Sequence, residues 1–322
     1  MDKAHFRIYT YYKPVLWGYA GRIYRKLTGN ELIRKVWAGQ QLLSRKEMNA
    51  HIKELLDSGK PMMVSRFGAM EMENIVQSLE KAFGIRESIT ESCRHALYNN
   101  AGFFPFPTDE DVSRFTKIYQ DAFQEVDVLG CWYLRGEEYM IREYGADNLR
   151  LSRLGDLEPW KYPSAPWSEA LKGKKVLFIH PFKDTILVQA PKWKQIFPGT
   201  AILPEMDVKL LRAVQTIAGT KDERFENWFE ALQWMFKEAM KIDFDVAIIG
   251  CGAYGMPLAS MIKKSGKQAI HLGGATQLFW GIRGARWDEN AEFKPLFNDA
   301  WIRPLPSDCV TNREKVEDGC YW

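Results

Sequence analysis

Residues 246–264 read VAIIGCGAYGMPLASMIKK. A β-branched run is followed by Gly250-x-Gly252-x-x-Gly255 and then by a helix-like stretch. That is the strand–turn–helix order of a dinucleotide-binding unit. Asp245 to Ile249 supplies the strand and Met256 to Lys264 the helix, with Pro257 tolerated in its first turn. Backbone N–H groups at such a turn can face an anion, so phosphate binding is physically reasonable. A nicotinamide dinucleotide also needs an acidic residue about 20 positions on, at the end of the next strand. Here that strand is KQAIHLGG (267–274), and His271 stands at the expected place with no Asp or Glu near it. The glycines therefore either cradle a different phosphate-bearing ligand or serve helix–strand packing alone.

Working outward, the chain alternates strand and helix from about residue 46. PMMVSRFG (61–68) reads as a strand, and the helix after it, from Met70, carries apolar Met72, Ile75, Val76, Leu79 and Phe83 at helical spacing. VDVLGCW (126–132) is a second strand. GKKVLFIHPF (173–182) is a third, with a helical segment from Asp184, and TAILPEM (200–206) a fourth. RFENWFEALQWMFKEAMKI (224–242) is an amphipathic helix through Phe225, Trp228, Phe229, Leu232 and Phe236. The pattern predicts an α/β fold: a mostly parallel, Rossmann-like sheet with helices on both faces. Residues 1–45 read as a basic, aromatic arm, 46–295 as the α/β domain and 296–322 as a tail. The Pro- and Trp-rich stretch 155–168 is the candidate linker between two halves.

Composition narrows the class. With 322 residues, 26% charged and 46% hydrophobic, the chain is an ordinary globular protein. A net charge of +3 makes no case for nucleic acid. Twelve Trp, thirteen Tyr and eighteen Phe suit stacking on sugars or bases, a membrane interface, or simply an aromatic core. Five scattered cysteines without CxxC spacing imply reduced thiols in a cytoplasmic protein and no structural zinc. No apolar run approaches the ~20 residues that span a bilayer, and no signal-peptide pattern is present. HFRIYTYYKPVLWGYAGRIYRKL (5–27) mixes rings and cations, which suits either peripheral contact with a membrane or an arm packed on the domain.

Ligands of open parallel sheets bind beyond the carboxyl ends of the strands. That rule selects Arg66 and Gly68 with Glu71, His180, the Gly250–Gly255 turn, and His271 with Gly273. Arg66 can hold a phosphate, and Glu71 can act as a base or ligate a cation; a first-turn Glu is equally favoured by the helix dipole. His180 and His271, at two strand ends, are candidates for base or phosphate contact, with Asp184 a third candidate base. In GGATQLFWGIRGARWDEN (273–290), Arg283 and Arg286 can neutralise a diphosphate while Trp280 or Trp287 stacks on a ring. A solvated basic surface explains the same arginines.

SRFGAMEMENI (65–75) together with DVAIIGCGAYGMPLASMIKKSGKQAIHLGGATQ (245–277) resembles the bacterial GT-D type glycosyltransferases. The resemblance spans roughly residues 55–290. It implies a nucleotide-sugar-dependent, hexosyltransferase-type enzyme of surface polysaccharide or glycan assembly. Its donor would be a nucleotide diphosphate-sugar and its acceptor a glycan or lipid-linked sugar at the inner face of the membrane. The family's first motif reads Arg-Phe-Gly-Asp-x-Glu, whose carboxylates are associated with Mn²⁺ or Mg²⁺ and the diphosphate. Arg66, Phe67, Gly68 and Glu71 match it, but Ala69 stands at the Asp position. The late turn matches the family's nucleotide side, which brings in Gly250, Gly252, Tyr254, Gly255, Gly273 and Gln277, with His271 where Asp is expected. Two other readings stand beside this one. They are an NAD-dependent oxidoreductase and a non-catalytic scaffold of a polysaccharide assembly complex, the latter favoured by Ala69.

Overall fold

The computed structural model describes residues 3–28 and 34–322. Seven strands form one parallel sheet: β1 Met62–Ser65, β2 Val128–Cys131, β3 Arg150–Arg153, β4 Lys175–His180, β5 Asp207–Arg212, β6 Val246–Ile249 and β7 Gln268–His271. Their spatial order is β3-β2-β1-β7-β6-β4-β5. The main helices are α1 Arg45–Asp57, α2 Ala69–Ala82, α3 Glu91–Ala101, α4 Asp109–Phe123, α5 Glu137–Tyr144, α6 Lys183–Gln189, α7 Trp228–Met240 and α8 Gly255–Lys264. The Rossmann-like α/β fold expected from the alternating pattern is the fold observed.

A sheet covered on both faces needs strands that are apolar on both faces. Met63, Leu177, Ile179, Ala247 and Ile249 enter the core with α2, α4, α7 and α8. Met62, Val64, Val176, Phe178, Val246 and Ile248 enter the opposite one, with α1, Trp167, Phe279 and Trp280. Ser44 and Glu47 close a capping box at the start of α1, satisfying N–H groups that a helix start leaves without partners.

Register places the candidate site. Val128, Val64, Ile270, Ile248, Phe178 and Leu210 face one another across six strands. Two residues further along, Arg66, Leu272, Gly250, His180 and Arg212 therefore emerge at one level. The chain leaves β1 toward β2 on one side, while β4 feeds β5 on the other. That divergence opens a crevice over β1, β7, β6 and β4, as switch points do.

One expected strand is absent, and three segments show structure that their sequence did not specify. TAILPEM (200–206) is not a strand; β5 begins at Asp207, beyond Pro204, whose missing N–H suits no ladder position. β3 (RLSR) was not foreseen, because two arginines on an edge strand leave too short an apolar run to detect. The stretch 155–168 is no free linker. It coils in short 3₁₀ turns with Trp160 and Trp167 buried, and strands from before and after it share one sheet. The 296–322 segment is packed too: buried Asp308 accepts from the Thr185 N–H at 2.7 Å and the Thr185 hydroxyl at 2.6 Å, at the start of α6.

Candidate functional site

A cleft of about 990 Å³, measured out to solvent, opens over the carboxyl ends of the strands. Arg66, Gly68 and Glu71 line it after β1, Trp132 after β2, His180 after β4, the 250–254 turn after β6, and His271, Gly273 and Gln277 after β7. Arg286, Tyr321 and Trp322 close one side.

Arg66 is the most informative side chain. Its guanidinium lies over the Trp132 ring, 4.7 Å from the centroid, and Nη1 is 3.2 Å from where a Cβ on Gly273 would stand. Its Nε is buried without a hydrogen-bond partner among the described residues. A buried donor on a permanent cation is costly to leave unmatched, and the group that would match it is an anion. The turn carrying Trp132 is itself fixed. Buried Glu137 accepts from the Trp132 N–H at 3.0 Å and the Tyr133 N–H at 2.7 Å.

Glu71 sits at the third position of α2, after the N-cap Gly68. Its Oε2 lies only 1.7 Å from the position of a Cβ on Gly68, so position 68 admits only glycine while the carboxylate keeps this place. Glu71 is 8% exposed and lines the cleft. It is the one carboxylate among the described residues that line the cleft. No group of three or more potential metal-binding His, Cys, Asp or Glu side chains occurs among the described residues. With Ala69 beside it, the donor set is a single carboxylate, which does not fit a divalent cation held by the protein itself.

The glycines of the quoted turn each have a packing reason. A Cβ on Gly250 would lie 2.6 Å from Thr276, and one on Gly255 would lie 2.1 Å from His271 Nε2. Gly252 has φ +56°, and its Cβ would meet the Ala101 carbonyl at 2.9 Å. Gly252→Val therefore strains the fold before any ligand is considered, costing roughly 2–5 kcal/mol from left-handed strain and overpacking. Urea unfolding checks this, and wild-type stability in the variant would contradict it. The 3₁₀ turn Gly252–Tyr254 that leads into α8 still starts at the cleft, which Cys251 and Gly252 line, and the first N–H groups of a helix lack intrahelical acceptors.

Both strand-end histidines lie at the cleft, in a form other than that expected. His180 is buried, and its Nδ1 accepts the Phe182 N–H at 3.0 Å, so the proton resides on Nε2 and the ring is a donor. Burial lowers its pKa to about 3, which makes it a poor base. His271 is held by Ser65 Oγ, 3.0 Å from its Nδ1. Burial, aided by the charge of Arg66, lowers its pKa to about 3. Neither ring is a cationic phosphate contact near neutral pH.

Asp184 and Arg283 lie away from the cleft. Asp184 pairs with Arg212 at 2.6 Å, and Arg283 pairs with Asp288 at 3.1 Å and stacks on Phe297. Tyr254 lines the cleft, yet its ring stacks on Trp228, with centroids 5.0 Å apart, and its hydroxyl meets Thr216 at 3.1 Å. Gln277 Nε2 donates to the Ile282 and Tyr321 carbonyls at 3.2 and 3.1 Å. Arg286 keeps its place on the cleft wall, donating to the Tyr321 hydroxyl at 3.1 Å. Of the two tryptophans expected to stack on a ligand ring, Trp280 and Trp287 are both buried in the core. Trp132, Tyr321 and Trp322 line the cleft instead. Trp132 was detectable as the residue ending the second strand pattern; nothing local marked the other two.

The buried groups set a pH dependence. Each histidine's contribution to stability is complete above its unfolded pKa of 6.5 and is lost as pH falls toward 3. Glu137 runs the other way. Burial raises its pKa to about 7, so its contribution is lost as pH climbs from 4.5. Around pH 5 to 5.5 the unfolded chain thus holds close to one proton more from these three groups, so their net effect raises stability by about 1.4 kcal/mol per pH unit there and fades toward pH 6.5. In a His180→Asn, His271→Asn double variant the contribution of Glu137 remains alone and the slope from these groups reverses. Urea titrations across that window check this, and an unchanged slope would contradict it.

No protein-family model matches the chain, and no curated protein matches it. Among solved structures, it is similar to a selenomethionine-substituted structure of domain of unknown function 1792. The two share 14% identity, with 84% of this chain and 93% of that chain covered, at a TM-score of 0.44. Likeness at that level carries no functional argument, so the function must be read from the cleft. None of the five cysteines is in a disulfide, and no helix among the described residues is long and apolar enough to cross a membrane.

Proposed function

We propose that the cleft binds a nucleotide diphosphate-sugar and transfers its sugar to a glycan or lipid-linked hydroxyl. The observation that carries this reading is Arg66, a half-buried cation at the crevice whose buried Nε has no hydrogen-bond partner among the described residues. The diphosphate lies between its guanidinium and the N–H groups at residues 251–253. There the cation and the helix dipole stabilise the charge that develops on the leaving group. The His180 Nε2–H donates a further hydrogen bond. Glu71, the carboxylate in the cleft, takes the proton of the acceptor hydroxyl. Trp132, stacked on Arg66, provides a face for a base or sugar ring. The bulk of chemical support comes from these residues and the motif resemblance to GT-D type glycosyltransferases.

A nicotinamide dinucleotide fits less well, because buried His271 stands where a ribose-binding carboxylate belongs. A thermal-shift scan of nucleoside diphosphates against NAD and NADH, with and without EDTA, tests the reading. Ligand at a hundredfold excess over Kd adds about 2.7 kcal/mol of stability. The expected result is a shift with at least one nucleoside diphosphate, retained in EDTA, and none with NAD or NADH. A shift with NAD alone would replace this reading. Diphosphate binding without turnover on any nucleotide sugar would favour the scaffold reading that Ala69 keeps open.

A further inference from the structure

The segment before the domain is divided between a buried base and an exposed helix. Phe6 is buried between Phe83 and Tyr139, with centroids 5.1 and 5.0 Å away. The Tyr11 hydroxyl donates to buried Glu80, and Lys13 Nζ pairs with Glu138 at 2.8 Å. Beyond this anchor the helix Lys13–Thr28, about 24 Å long at 1.5 Å per residue, carries several large apolar side chains in solvent. Leu16 is 67% exposed, Tyr19 57%, Ile23 60% and Leu27 79%. Their spacing of three, four and four residues makes one stripe, which Tyr12 extends by a turn. Seven of the twelve large apolar residues that are substantially exposed among the described residues lie in this arm. Five of the seven lie on the helix Lys13–Thr28 itself, and such a concentration marks an interaction face.

Charge selects the occupant. Residues 3–28 contain Lys3, Arg7, Lys13, Arg22, Arg25 and Lys26, and no Asp or Glu. At 100° per residue Arg25 falls opposite the stripe, while Arg22 and Lys26 run along one edge of it. From there long cationic chains reach outward as the stripe is buried. A second copy of the arm laid on the first would set these cations against each other. The helix is too short and too charged to cross a bilayer. An apolar stripe with tyrosines, flanked by cations and free of acids, matches the boundary between anionic headgroups and acyl chains.

We infer that this helix lies in the plane of an anionic lipid surface and holds the domain there, with the Phe6–Tyr11 base as a fixed joint. The inference is independent of what the cleft binds. The test is co-sedimentation of the full chain with vesicles of phosphatidylcholine alone or of phosphatidylcholine with phosphatidylglycerol. Binding is expected to the mixed vesicles, at least about tenfold weaker to phosphatidylcholine, and diminished by high salt. Leu16→Asp with Ile23→Asp removes binding while the melting temperature stays unchanged, since both sites are exposed. Arg22→Glu with Lys26→Glu leaves the stripe intact and weakens binding by about 25-fold or more, at about fivefold per cation. Absence of wild-type binding to the mixed vesicles would overturn the inference. So would indifference to both lipid charge and the charge-reversal variant. Sedimentation velocity without lipid supplies the last arm: a dimer broken by Leu16→Asp with Ile23→Asp would assign the stripe to a second copy instead.

Discussion

Arg66→Ala is expected to lower nucleoside diphosphate affinity by roughly tenfold to more than a hundredfold, at about 1.5–3 kcal/mol for a hydrogen bond to a charged group. Stability should change little. Its Nε has no hydrogen-bond partner among the described residues to lose, and the guanidinium's packing includes the contact with the Trp132 ring. Arg66→Lys should recover only part of the affinity, because a point charge cannot reproduce the planar fork that meets two phosphate oxygens. Isothermal titration of the three proteins checks this. Equal affinities would remove Arg66 from the site, and with it the observation on which the functional reading rests.

Glu71→Gln is expected to lower transfer by roughly 10²–10⁴-fold, the range typical of a lost general base. The amide matches the carboxylate in shape, so the close packing over Gly68 is preserved. The lost charge at the start of α2 costs about 0.3–1 kcal/mol through the helix dipole, up to ~2 kcal/mol in a partly buried place. Kinetics and urea unfolding on one preparation separate the roles. Low turnover with a near-native unfolding free energy assigns Glu71 to chemistry. Full turnover with reduced stability assigns it to capping α2.

The turn at 250–255 shows how far a motif can be read. The strand, the glycines and the helix lie where VAIIGCGAYGMPLASMIKK places them, and the crevice follows from parallel strands ending at one level. What the motif does not disclose is why each glycine is there. The neighbours that require them, Thr276, Ala101 and His271, are distant in sequence or lie on another element. The histidines show the same limit. Their positions were legible from strand ends, but their protonation depends on burial and on partners such as Ser65 and the Phe182 N–H, which only the assembled sheet supplies. Asp184 and Arg283 looked available in the sequence because Arg212 and Asp288, which pair with them, lie 28 and 5 residues away on other turns of the chain. Tyr321 and Trp322 reach the cleft because the Cys320 and Trp322 carbonyls accept the Arg286 and Ala285 N–H groups, a contact without local signature.

The most direct test of the central claim is a crystal structure of the protein with the nucleoside diphosphate that gives the largest thermal shift. The account predicts phosphate oxygens within hydrogen-bond distance of the Arg66 guanidinium, on the side facing residues 251–253, with Glu71 beyond them at the sugar end. Phosphates bound elsewhere, with the cleft over β1, β7 and β6 holding only solvent, would contradict it.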